Sequence, residues 1–284
     1  MPSVTAKTVK AGVIGWPVEH SLSPRLHGFW LDSLGIDGVY LPLPVAPGDI
    51  EVAVRALPKL GFAGANVTVP HKEAVYKIVD ELTPTARRIG AVNTIVCRDG
   101  GHLLGDNTDA FGFIENIHAE AGDWHPWASV AVVLGAGGAA RAVIAALIEA
   151  GTPEIRLVNR TRARATELAA HFGDKVCVVD WESRDDACSG AGLLVNTTTL
   201  GMTGKPALEI SLQGMKADAV VNDIVYAPLE TPLLRDAAAR GLKAVDGLGM
   251  LLHQARPGFE AWFGQRPVVD AALRAHVLAG RGNA

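Results

Sequence analysis

The stretch VAVVLGAGGAARAVIAALIEAG, residues 130–151, narrows the folds open to this chain more than any other. An apolar, β-branched run stops at Gly135-Ala136-Gly137-Gly138-Ala139-Ala140, which fits G-x-G-x-x-A, and an Ala-rich helical pattern follows at residues 139–150. Gly135 permits a tight turn, Gly137 lets backbone approach a pyrophosphate, and small Ala140 keeps the helix close to its sheet. The free amides of the helix N-terminus then face an anion. A glycine-rich turn alone is often only a turn. Here the strand before it, the helix after it and a further strand at residues 154–158 make a dinucleotide-binding βαβ unit, with Gly135, Ala136, Gly137, Gly138 and Ala139 as candidate contacts.

Strand-like runs alternate with helical patterns along the rest of the chain, so the fold class is α/β. Residues 11–14, 39–43 and 65–69 read as strands, with helices at 24–34, 50–57 and 73–79. Residues 94–98 and 102–105 read as a hairpin around Asp99-Gly100-Gly101. A polar and aromatic connector covers 119–129. Beyond the glycine turn, a helix is expected at 162–172 and strands at 176–179, 193–196 and 219–223. At 284 residues, two α/β domains are expected.

The end of the second strand of the βαβ unit decides between the two nicotinamide dinucleotides. An NAD site places Asp or Glu there to accept the ribose 2′-hydroxyl. This chain has Asn159-Arg160-Thr161-Arg162-Ala163-Arg164. A carboxylate repels a 2′-phosphate, whereas Arg160 and Arg164 can hold it by charge-assisted hydrogen bonds. Thr161 can cap the next helix and bond the phosphate. Cations at a helix N-terminus oppose its dipole unless an anion lies between. NADP is expected. Asn196-Thr197-Thr198-Thr199 follows another strand, and Thr197 is placed to border the cofactor.

In the first half, Ser21 and Ser23 stand just before Pro24, in the first turn of a helix. Two hydroxyls beside free amides suit a carboxylate, whereas plain N-capping needs one. The stretch GANVTVPHKEAV, residues 64–75, alternates at 66–69 like a half-buried strand, stops at Pro70, and puts Lys72 at the mouth of a strand-to-helix junction. A solvated lysine is the ordinary reading of such a position. Asn93 in GAVNT and Asp109 in GDNTDAFGF are explained by neither strand nor helix propensity.

In order along the chain stand SLSP, NVTVPHK, GAVNT, GDNTDAFG, GAGGAAR, NRTRAR, NTTTLGM, DIVYAPLETPLL and GLGMLLHQA. The set closely resembles the shikimate dehydrogenase family, NADP-dependent enzymes of aromatic amino-acid biosynthesis, and covers nearly the whole chain. The resemblance implies reversible NADPH reduction of 3-dehydroshikimate to shikimate. It implies that Ser21 and Ser23 hold the substrate carboxylate, that Thr68, Asn93 and Gln254 bind ring hydroxyls, and that Tyr226 borders the substrate. Lys72 and Asp109 form the implied catalytic pair, Asp109 also touching substrate. For the cofactor it implies Gly135 to Ala139, all of Asn159, Arg160, Thr161, Arg162, Ala163 and Arg164, and also Ile224, Gly247 and Met250. The implied fold is an N-terminal α/β substrate domain (1–112, completed by about 248–284) plus a Rossmann-like, doubly wound NADP domain (113–247), with a cleft between them. Gly28, after His27, and Pro84 depart from the family pattern. A carbonyl receiving hydride develops alkoxide character and needs a positioned acid, which gives Lys72 a task beyond solvation.

Rival readings keep the fold. A quinate-oxidising relative is one, although such relatives often favour NAD with an acid where Asn159 and Arg160 stand. A catalytically silent NADP-sensing regulator has no reason to keep Lys72 with Asp109. A net charge of −4 argues against a nucleic-acid partner. Three cysteines, Cys97, Cys177 and Cys188, no two at metal-ligand spacing, argue against a disulfide framework and a zinc site and fit a reducing cytoplasm. The first residues lack the apolar core of a secretory signal, and no apolar run reaches membrane-spanning length. The expected partner is a small-molecule substrate, with neither metal nor membrane. The oligomeric state stays open, a homodimer among the states allowed.

Overall fold

The computed structural model describes residues 4–280. It divides into two compact units, one holding the chain up to Thr108 and from Leu252 onward, the other Asp109–Leu251.

In the first unit, β1 (Val9–Gly15), α1 (Ser23–Ser33), β2 (Gly38–Pro44), α2 (Ile50–Ala56), β3 (Phe62–Val67) and α3 (Lys72–Ile78) alternate. Then come β4 (Glu81–Leu82), α4 (Pro84–Ile89), β5 (Thr94–Cys97) and β6 (Leu103–Asp106). The sheet runs β2-β1-β3-β5-β6-β4. β1 is parallel to both its neighbours, and β5 and β6 form the expected antiparallel hairpin. One expectation is corrected. The third strand ends at Val67, so Thr68 and Val69 lie beyond it, and Gly64 through Val67 are all buried instead of alternating. Central strands covered on both faces lose the half-buried alternation.

The departures from the family pattern find local explanations. Pro84 occupies the first turn of α4, where a missing N–H leaves no intrahelical bond unmade, and Thr83 caps that helix by accepting from the Ala86 N–H at 3.1 Å. A Cβ at Gly28 meets no atom within 4 Å, so packing does not require the glycine.

The second unit begins with α5 (Asp109–Glu120), which runs into the expected connector. β7 (Val130–Leu134), α6 (Gly138–Glu149), β8 (Ile155–Val158), α7 (Arg162–Phe172), β9 (Val176–Val179) and α8 (Arg184–Ala187) follow. β10 (Ala191–Asn196), β11 (Val220–Asp223), α9 (Pro232–Ala239) and β12 (Lys243–Val245) complete its sheet. All strands are parallel in the order β12-β11-β10-β7-β8-β9. Read from β7 this is the doubly wound order 3-2-1-4-5-6, and its topological switch point lies between β7 and β10. Helix α6 is buried at Ala140 and from Ala142 to Leu147, as a helix pressed on a parallel sheet must be.

The helices α10 (Leu248–Phe263) and α11 (Ala271–Ala279) end the described chain, the division between units falling inside α10. From Leu252 on they pack within the first unit. Trp262 Nε1 donates to Ile95 O at 2.9 Å, and Arg25 Nε to His276 O at 2.6 Å. Between α1, β2 and α10 lies an aromatic cluster of His27, Trp30, Tyr40, Phe259 and Trp262. Among the described residues, no helix is long and apolar enough to cross a membrane.

Two stability predictions follow from this packing. Complete burial lowers the His27 pKa from 6.5 to about 3, with Asn66 only partly offsetting it. The native state therefore refuses a proton that the unfolded chain accepts. Stability is full above pH 6.5 and falls as pH drops toward 3. In His27→Phe, urea titrations should show the stability lost between pH 7 and pH 5 smaller by about 2 kcal/mol; an unchanged loss contradicts a neutral buried imidazole. The second concerns the turn after β7. Gly135 has φ +107°, and a Cβ there would lie 2.6 Å from Thr197 Oγ1, whereas one at Gly137 meets nothing within 4 Å. Gly135→Ala should cost about 2–3 kcal/mol and Gly137→Ala about 1 kcal/mol or less. Equal losses in thermal unfolding contradict the assignment.

Candidate active site

The substrate-side candidates gather on the first unit around Asn93, which is 2% exposed. Its Oδ1 accepts from the Thr108 N–H at 2.8 Å and from the hydroxyls of Thr94 at 2.9 Å and Thr108 at 3.2 Å. Its Nδ2 donates to Gln254 Oε1 at 3.2 Å and Thr108 Oγ1 at 3.1 Å. Its backbone bridges two strands, the carbonyl accepting from the Val67 N–H at 2.7 Å and the N–H donating to Asp106 O at 3.0 Å. A buried carboxamide so enclosed has one orientation. Asn93 and Gln254, far apart in sequence, are thereby brought together.

Lys72 is half-buried at the first position of α3. Its carbonyl accepts from the Val92 N–H at 2.9 Å, which ties the start of that helix to the residue before Asn93. Upstream, the Thr68 N–H donates to Ile14 O at 2.8 Å and Thr68 O accepts from the His71 N–H at 3.0 Å. Buried His71 contacts Val45 O through Nε2 at 2.8 Å, a packed histidine as expected. The backbone at Lys72 is thus tied to its neighbours on both sides.

Ser21 and Ser23 open α1, but the capping position is Leu22, and no side chain caps the helix there. The Ser23 N–H donates to Ser21 Oγ at 3.3 Å, and Ser23 itself, 6% exposed, lies within the first turn. Plain capping does not account for Ser23.

Asp109 is corrected in one respect. It opens α5, where a carboxylate favours the helix dipole, so helix formation does give it a local role. It follows directly on Thr108, whose N–H and hydroxyl are bound to Asn93.

In the second unit the cofactor-side candidates collect at the carboxyl ends of the strands. Gly135, after β7, approaches Thr197, after β10, on either side of the switch point. The Thr197 N–H and hydroxyl donate to Leu134 O at 2.9 and 2.6 Å. Gly137 is the N-cap of α6, with Gly138 and Ala139 in its first turn. Protein atoms leave open space where its Cβ would stand. Ile224 and Gly247 are also brought together, a Cβ on Gly247 falling 2.2 Å from Ile224 O. Met250 is buried on α10, and Tyr226 is half-buried after β11.

The edge at β8 carries Asn159, whose Nδ2 donates to Thr161 O at 2.8 Å. Thr161 is the N-cap of α7, although its hydroxyl makes no capping bond, against the expectation that it would. Arg162 is paired with Asp180, whereas Arg160 and Arg164 are exposed and carry no ion pair among the described residues. A donor set of two free guanidiniums and no acid suits a 2′-phosphate better than a 2′-hydroxyl.

Sequence reasoning missed the polar residues behind these sites. Tyr40 looked like one more apolar strand residue, yet its hydroxyl donates to Asn66 Oδ1 at 2.6 Å. Asp223, fully buried at the end of β11, accepts from Asn196 Nδ2 at 2.9 Å, Thr231 Oγ1 at 2.7 Å and the Val225 N–H at 3.0 Å. Burial pushes its carboxyl up to about 6 despite those three donors. A buried acid in a strand is the signal that points to such a clamp.

Comparison with known proteins places nearly the whole chain within one family. The family model of the shikimate dehydrogenase substrate binding domain matches residues 13–95, that of shikimate / quinate 5-dehydrogenase residues 124–200, and that of the shikimate 5′-dehydrogenase C-terminal domain residues 247–275. The shikimate dehydrogenase (NADP(+)) of Paramagnetospirillum magneticum is 63% identical over 97% of this chain and 100% of that one. Shikimate 5-dehydrogenase from Thermus thermophilus, solved in complex with NADP(H) and shikimate, superposes with a TM-score of 0.84 at 39% identity over 97% of this chain and 99% of that one. Quinate dehydrogenase from Corynebacterium glutamicum, in complex with NAD, gives 0.89 at 31% identity over 96% and 99%. With matches of this extent in both halves, the chain belongs to the shikimate dehydrogenase family.

Proposed function

We propose that this chain catalyses the reversible NADP-dependent interconversion of shikimate and 3-dehydroshikimate, a step of aromatic amino-acid biosynthesis, as a cytoplasmic enzyme. The observation that supports it most is the Asn93 network, which gathers Gln254, Thr94 and Thr108 around one buried carboxamide. The first unit serves as the substrate domain and the second as the NADP domain.

Ser21 and Ser23 bind the substrate carboxylate, and Thr68, Asn93 and Gln254 its ring hydroxyls, with Tyr226 bordering the ring. Residues Gly135 to Ala139 cradle the pyrophosphate, and Asn159, Arg160, Thr161 and Arg164 take the 2′-phosphate. Thr197, Ile224, Gly247 and Met250 border the nicotinamide portion. Bound NADP(H) supplies or accepts the hydride. Lys72 donates the proton to the carbonyl oxygen as alkoxide character develops, and Asp109 orients that ammonium. In the oxidative direction the same pair takes the hydroxyl proton.

A quinate-oxidising activity is the second reading, favoured by the fold shared with the quinate dehydrogenase. The basic edge after β8 speaks against its NAD-linked form.

In purified Lys72→Ala, kcat should fall by about 10²–10⁴, the usual range for a lost acid–base group, while shikimate Kd changes far less. Lys72→Arg should not restore the rate, because a guanidinium hardly releases a proton near neutrality. Asp109→Asn should be similarly slow, and the double variant little worse than either, since groups acting as a unit are not additive. A kcat within about threefold of wild type in Lys72→Ala contradicts the assigned chemistry.

A further inference from the structure

Tyr40 lies in β2, 7% exposed, with its ring stacked on His27 at 3.9 Å and 3° between planes. Neither ring nitrogen of His27 has a hydrogen-bond partner, and burial keeps that imidazole neutral. The stack therefore holds the phenol plane by packing alone. Burial also raises the Tyr40 pKa well above 10, the Ser23 hydroxyl beside it partly opposing the shift, so the phenol remains a donor.

From that hydroxyl a relay of single-sense hydrogen bonds runs to Asn93. Tyr40 donates to Asn66 Oδ1 at 2.6 Å, which turns the Asn66 amide nitrogen the other way. Asn66 Nδ2 then donates to Asn93 O and to Thr94 Oγ1, each at 3.2 Å. The Thr94 hydroxyl, which keeps a second lone pair, donates to Asn93 Oδ1 at 2.9 Å and lies 3.3 Å from Thr108 Oγ1. Oδ1 of Asn93 faces Thr94 and the Thr108 N–H, and Nδ2 faces Gln254 and Thr108 Oγ1. Rotating Asn93 by half a turn would set its Nδ2 against the Thr108 N–H, and rotating Asn66 would set its Oδ1 against Asn93 O.

We infer that Tyr40 is a positioning residue for substrate recognition: the Thr108 N–H sets the orientation of the Asn93 carboxamide, and the Tyr40 hydroxyl, acting through Asn66 and Thr94, holds that carboxamide in place for a ring hydroxyl. This rests on the reading of Asn93 as a substrate contact. Packing does not require the hydroxyl, since a phenylalanine ring fills the same place in the aromatic cluster.

Steady-state kinetics of Tyr40→Phe with NADP⁺ and shikimate test it. KM for shikimate should rise about tenfold, the equivalent of one buried hydrogen bond, with kcat within about threefold and KM for NADP⁺ unchanged. In an Asn93→Ala background the same change should add less than about twofold, because the group it acts through is gone. Thr94→Val, which cuts the relay one bond later, should reproduce the KM-selective rise, and Thr94→Ser should not. A lowered Tm with unchanged KM in both Tyr40→Phe and Thr94→Val overturns the inference. So does a tenfold effect that persists without Asn93. Wild-type enzyme run alongside keeps the two claims apart: absence of shikimate oxidation there overturns the functional reading and this inference with it, whereas normal wild-type turnover with unaltered variants overturns the inference alone.

Discussion

A buried carboxamide must find its partners inside the protein; that of Asn93 finds them on three segments, and the residue's backbone ties in two more. Thr94 belongs to β5, Asp106 to β6, Val67 to β3, Gln254 to α10, and Thr108 to the stretch before α5. Leaving one such group unpaired costs about 1–3 kcal/mol, so the segments are held together or not at all. The start of α3 is tied in through Val92, and with it the place of Lys72. Rigid placement of a proton donor and of the groups that hold substrate is thus one structural problem with one solution.

The same logic recurs at the strand ends of the second unit. Asp223 there binds the turn after β10 through Asn196 and the first turn of α9 through Thr231. The Ile224 N–H donates to Asn196 O at 3.1 Å. Burying a carboxyl whose pKa rises to about 6 is unfavourable by itself, and three donors offset part of that. What the clamp secures is the backbone from Ile224 to Tyr226, next to the switch point where an open parallel sheet binds its ligands.

The sequence made five of the second unit's six strands plain, because each is a short apolar run bounded by turn residues, while the three-residue edge strand β12 went unread. Residues 130–134, 162–172 and 176–179 match the elements observed. Elements governed by other forces were harder to read. Thr68 and Val69 carry β-branched side chains yet lie outside β3, where the chain turns at Pro70. Asp109 looked unexplained because α5, with two Phe, two Ile, a Gly and an Asn among its twelve residues, has weak helix propensity; in the structure it packs on α6. Motif order pointed to Asn93, Lys72 and the glycine turn. It could not reveal Tyr40, since a buried hydroxyl in an apolar strand leaves no periodic trace.

The central claim is that two exposed arginines without an acid, together with a preorganised Asn93, make this an NADP-linked enzyme for shikimate. The most direct measurement is initial-rate oxidation of shikimate and of quinate, each with NADP⁺ and with NAD⁺, on one preparation. The account predicts that kcat/KM for shikimate with NADP⁺ exceeds each other combination by about tenfold or more, the discrimination that one well-placed contact supplies. Comparable values for quinate, or for NAD⁺, would contradict it.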